Sequence, residues 1–293
     1  RAPYAGSPLP GAVGEGMNRT LTIAGLTIRE AVRRRLLYAF LVITVTVVCL
    51  SAWGFDRLAH SHNITSGEQN LALPQALVLF MFMFSFVIAL SASAIASPSV
   101  STEIETGVLM TVVTRPVRRV EVLLGKWLGL AGLLALYTGA VCLLEFVVVD
   151  AVSGFLPPNP WLVGVYLFGE GLLLLALSLA LSTRLSVIAA GVVGVAVFGA
   201  GWLAGVVGSL GYALNISALR TVGSVGRYIL PTDGLWRGAI YYLEPSSFLG
   251  AGLSRGDPFF VISAPTWGYL LFVVAWLLAV VVIGSWSFSR REL

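Results

Sequence analysis

The chain is poor in charge: Asp, Glu, Lys and Arg make up 11% of its 293 residues, against 57% hydrophobic residues. Its mean hydropathy is +0.91. A soluble domain carries about 25% charged residues, so a polar surface able to face water all round is excluded. Cysteine and histidine are equally sparse, with two of each. Cys49 and Cys142 fall inside apolar blocks without metal-site spacing, which reads as buried small hydrophobes. His60 and His62 lack a third ligand nearby, so no metal site is assigned to them. Also missing is the apolar–polar alternation that barrel strands require. The net charge of +4 is no nucleic-acid signal.

What the chain does have is long apolar blocks. About 20 such residues span a bilayer as a helix, because in lipid every backbone group must be satisfied internally. The expected fold is therefore all-α: a polytopic membrane protein with six transmembrane helices. Residues 1–16 are rich in Gly, Pro and Ala, precede Met17, and read as a disordered tail outside the domain 17–293. They lack the apolar core of a signal peptide. In Leu21 to Arg35, apolar Leu21, Ala24, Ile28 and Val32 recur at helical spacing away from Arg29 and Arg33. That pattern predicts an amphipathic interfacial helix. Spans follow at about 36–55, 73–96, 122–149, 161–181, 187–210 and 266–288. Region 211–265 is the longest polar stretch; Leu235, Trp236, Ala239, Ile240 and Leu243 share a helical face within it. Short helices lying at or dipping into the outer leaflet and capping the pathway are expected there, with Trp236, Tyr241 and Tyr242 at headgroup level.

Orientation follows from the cations. With the N-terminus inside, the inner segments hold Arg29, Arg33, Arg34, Arg35, Arg115, Arg118, Arg119, Lys126, Arg184, Arg290 and Arg291. The outer ones hold Arg57, Arg220, Arg227, Arg237 and Arg255, four of them in the long region, which counts for less. Both termini are thus expected in the cytoplasm.

Ser101 to Lys126 reads STEIETGVLMTVVTRPVRRVEVLLGK. Glu103 and Glu105 open it, Val108 to Val113 are largely apolar, Pro116 breaks any helix, and Arg115, Arg118 and Arg119 follow. A short helix with acidic residues near its start suits the helix dipole. The resulting cytoplasmic hairpin either offers a docking surface or packs back on the bundle. Physical grounds alone leave both open.

This segment resembles the signature of the ABC type-2 permeases, the membrane subunits of ATP-binding-cassette exporters. The matching residues are Glu103, Glu105, Gly107, Pro116, Arg119, Gly125 and Lys126; Val108 departs from the Thr common after the Gly. IREAVRRRLLYAFL is similar to the family's surface helix leading into the first span, and LPTDGLWRGAIYYLEP, Leu230 to Pro245, to its outer segment before the last span. The resemblance implies a six-span permease, paired with a second copy, embedded in plasma-membrane lipid and driven by a separate cytoplasmic ATPase that binds ATP and Mg. Glu103, Glu105, Gly107, Arg115, Pro116 and Arg119 would then couple the two. The chain itself has no phosphate-binding loop: Val120 stands where the motif needs Gly, and Trp127 follows Lys126 where it needs Ser or Thr. Lys126 is expected instead to snorkel to the interface.

Glu170 lies mid-span between Gly169 and Gly171. A carboxylate at that depth costs at least about 2.5–3.5 kcal/mol, so it either lines the pathway or bonds a neighbouring helix. Glu145, nearer a span end, is expected to reach water. Asn18, Asn63 and Asn215 open sequons to which no role is assigned. Two other function classes compete with transport: a scaffold or sensor recruiting a cytoplasmic partner, and a lipid-acting membrane enzyme. No acid, base and nucleophile form a recognisable motif for the enzyme.

Overall fold

The computed structural model describes residues 12–33, 35–60, 66–105, 119–244, 259–261 and 263–290. Among them there are helices and no strand. They are α1 (Ala12–Val32), α2 (Arg35–Ala59), α3 (Ser66–Glu105), α4 (Arg119–Ser153), α5 (Pro160–Ser182), α6 (Val187–Ala213), α7 (Ser217–Ile229), α8 (Thr232–Leu243) and α9 (Trp267–Ser289). Six of them, α2 to α6 and α9, are long and apolar enough to cross a membrane, and they cover the six expected blocks. The chain is a multi-pass membrane protein.

Local chemistry sets several boundaries. Ser186 caps α6 by accepting from the amide of Ala189, and Thr266 caps α9 by accepting from Tyr269 at 3.3 Å. Pro160 opens α5, where its missing N–H costs nothing. Asn215 turns the chain between α6 and α7 with φ 57°, the left-handed conformation that Asn tolerates. Arg220 donates to its side-chain oxygen.

Two boundaries differ from expectation. Helix α1 starts at Ala12, within the segment expected as a tail. Helix α3 runs through Pro98 to Glu105, well past the apolar block ending near Ala96. At 40 residues it is about 60 Å long, twice the hydrocarbon thickness of about 30 Å. It must therefore project from the bilayer, and Glu103 and Glu105 lie in its last turn.

Helix α5 is the hub, with α3, α4, α6, α8 and α9 all packing on it. Polar contacts stitch α3 to α5, which run parallel. Ser85 Oγ donates to Glu170 at 2.7 Å, Ser178 Oγ to Ser93 at 3.0 Å, and Ser101 Oγ to the carbonyls of Ser182 and Leu185, both at 2.9 Å. Small residues that allow close approach and polar bonds between helices are what holds helices together in lipid.

Helix α8 packs into the bundle. Leu235, Trp236, Ala239, Ile240 and Leu243 form one face as expected, but that face is buried against α5. Trp236 is 2% exposed and its ring lies 5.5 Å from Phe82 of α3, so protein covers it. The twelve-residue segment is wedged into the bundle because its apolar face finds protein partners there. Cys49, expected buried, is exposed on α2, while Cys142 is buried.

Candidate functional site

One end of the bundle gathers the ends of several elements around the segment 101–126. Helix α1 crosses the start of α4 at a distance only glycine permits. A Cβ on Gly125 would lie 2.8 Å from Ile23 and 2.9 Å from the carbonyl of Thr20; one on Gly129 would lie 2.6 Å from the carbonyl of Ala24. Next to Gly125, Lys126 is 4% exposed and donates through Nζ to the carbonyl of Ser99 on α3. This corrects the expectation that Lys126 snorkels. Its ammonium meets a backbone acceptor in the last two turns of α3, on the residue next to Pro98. The Gly-Lys pair thus joins α1, α3 and α4.

The same end holds the α5–α6 turn, which Ser101 fastens to α3. Arg184 in that turn donates to Ser287 near the end of α9, from Nε to Oγ at 2.9 Å and from Nη2 to the carbonyl at 3.2 Å. So α1, the end of α3, the start of α4, the α5–α6 turn and the end of α9 form one face.

The expected coupling residues are placed only in part. Glu103 and Glu105 close α3, and Arg119 opens α4. Gly107, Arg115 and Pro116, with the expected short helix, lie outside the described residues. The short helix expected after the acidic pair lies outside the described residues, and the pair itself closes the last turn of α3. There the dipole opposes negative charge by about 0.3–1 kcal/mol per residue.

Glu170 is 2% exposed and held by Ser85, within the seam of α3 and α5. Glu145, expected to reach water, is fully buried: it accepts from Ser51 of α2, and its Oε2 has no partner among the described residues. Two turns earlier on α4, Tyr137 meets Thr44 of α2 at 2.5 Å. The α2–α4 contact thus carries its own polar line. His60 turns back on Asp56, with Nδ1 3.2 Å from the carboxylate; His62 lies outside the described residues.

Sequence reasoning missed a buried charge cluster. Arg237 donates from Nε to Asp233 at 3.0 Å, and from Nη2 to Ser209 Oγ at 2.8 Å and the Gly205 carbonyl at 3.0 Å. Arg227 of α7 lies 3.6 Å from the same carboxylate. The cluster locks α8 to α6 and α7. Its signal is the i, i+4 spacing of Asp233 and Arg237, which the polar character of region 211–265 masks.

Residues 21–293 match the family described as ABC-2 family transporter protein. The chain belongs to the ABC-2 transporter family. No curated protein matches it. Membership covers α1 from Leu21 onward and every later helix, including both helices between α6 and α9. The ABC-2 family supplies membrane components of transport, which typically pair with an ATPase subunit and are generally not catalytic themselves. The resemblance read from Glu103 to Lys126 thus agrees with a match that extends over nearly the whole chain.

Proposed function

We propose that this ABC-2 protein is the permease subunit of an ATP-driven exporter, working as a dimer with a separate cytoplasmic ATPase. The observation that carries the reading is the face just described. It bears residues of the family's motif, and there α1 packs on α4 at Gly125 and Gly129 while Lys126 ties α4 to α3. A push on α1 or on the 103–119 segment would reach two spans through backbone-level contacts, which suits transmission of ATPase closure. Glu103, Glu105, Gly107, Arg115, Pro116 and Arg119 belong to the docking surface in this reading. That face is cytoplasmic, both termini lie inside, and the protein resides in the plasma membrane. ATP and Mg are bound by the partner, not by this chain.

Glu170 is proposed as a pathway group. Its bond to Ser85 favours a second reading, in which it only ties α3 to α5.

The test is reconstitution with a soluble chain carrying a phosphate-binding loop. Copurification, together with ATP-dependent movement of cargo in proteoliposomes, is the expected result. A stable complex that never moves cargo under any ATP load would favour the scaffold reading. A permease that acts chemically on lipid without any ATPase would favour the enzyme.

A further inference from the structure

A cavity of about 650 Å³ lies between α4 and α5, on the outer surface of the bundle. Leu143, Val147 and Val165 on its walls are more than half exposed, so it opens outward and not into the protein. Glycine makes the room. A Cβ on Gly139 would meet nothing within 4 Å, and one on Gly164 would only touch Cys142 at 3.8 Å. Along α4 the lining runs from Ala135 to Asp150, about 22 Å of helix. The volume falls in the range of small-molecule sites, about 300–1,000 Å³.

The lining is apolar except at one end. There, beside the connection 154–159, stand Asp150 and Trp161, both exposed. Asp150 is the one charged residue lining the groove. Among the described residues, no hydrogen bond or ion pair engages its side chain. An indole face and an unpaired carboxylate at the mouth of a long apolar slot make a recognisable chemical pattern. The carboxylate attracts a cation, the indole face adds cation–π attraction, and the slot takes an alkyl tail.

We infer that this groove binds an amphipathic amine from the surrounding leaflet: one apolar chain along Gly139 and Gly164, one ammonium head between Asp150 and Trp161. A nonionic or anionic amphipath would fill the slot but leave the head site without its charge partner. Binding at this site does not depend on whether the chain is an exporter.

The test uses the full chain in nonionic detergent and a long-chain alkyltrimethylammonium carrying a diazirine in its tail. Irradiation should label peptides of α4 and α5 between Gly139 and Phe168, saturably, and the unlabelled ammonium should displace the probe. The alcohol of the same chain length should compete about five- to tenfold less well, and Asp150→Asn should weaken the probe by a similar factor. Gly139→Leu should abolish labelling by filling the slot while leaving the elution profile unchanged. If Asp150→Asn fails to fold, the alcohol competition on the native chain decides alone. Equal competition by the alcohol would overturn the inference, as would unsaturable labelling of every lipid-facing helix. Efficient crosslinking between two copies through Leu143→Cys, with labelling lost, would overturn it as well, because the face would then be a subunit interface.

Discussion

Glu170, Lys126 and Asp233 are ionisable groups that the fold buries, and each is matched by a partner on another helix or turn of chain: Ser85, the Ser99 carbonyl, and Arg237 with Arg227. Burying a charge is tolerated when it is paired and bonded, so each partner is a testable part of the account. Glu170→Gln keeps an acceptor for Ser85 and should leave expression and assembly intact while altering transport; Glu170→Leu should abolish transport. Full transport in the Leu variant, measured in vesicles, would remove Glu170 from the pathway. Asp233→Ala leaves Arg237 buried without its carboxylate and should cost about 3–5 kcal/mol, read as a fall in thermal unfolding temperature in detergent. Replacing Asp233 and Arg237 together by Leu and Met should recover much of that loss. At this scale the sequence was only partly legible. A carboxylate between two glycines announced Glu170, but nothing near Lys126 reveals the carbonyl it meets 27 residues away on another helix.

At the scale of elements, the apolar blocks specify the spans because lipid imposes one solution on them, a helix of bilayer length. All six were legible for that reason. Ends and short helices were not, since their limits depend on neighbours. Helix α3 outruns its apolar block because Lys126 and the α5–α6 turn hold its last turns. Helix α8 showed an amphipathic face in sequence, yet amphipathicity does not say whether lipid or protein covers it. Here α5 does. The contact of α1 with α4 yields a further expectation. Gly129→Leu cannot be accommodated against the Ala24 backbone, so α1 should lift from α4. A disulfide pair placed across the two helices in a cysteine-free background should close readily in the native sequence and poorly in the variant. Equal closure would mean that glycine is not needed for the contact.

For the whole molecule, six spans return the chain to the side from which it started, and in the proposed reading the cation distribution assigns that side to the cytoplasm. Ser217, at the start of α7, and Ser289, at the end of α9, are both exposed. With Cys49 and Cys142 replaced, Ser217→Cys should react with an impermeant thiol reagent added to cells, and Ser289→Cys should not. The reverse pattern would invert the molecule and place the motif face outside. The most direct test of the central claim is charge reversal at the acidic end of α3. Glu103→Lys with Glu105→Lys should leave insertion and dimer formation unchanged, because these residues lie beyond the apolar block. Reversed charge at a docked interface can cost several kcal/mol. The measurement is ATPase copurification together with hydrolysis and cargo movement in reconstituted vesicles, with the native chain alongside. The account predicts poor copurification, or hydrolysis without transport. Native association with native transport in the double variant would contradict it.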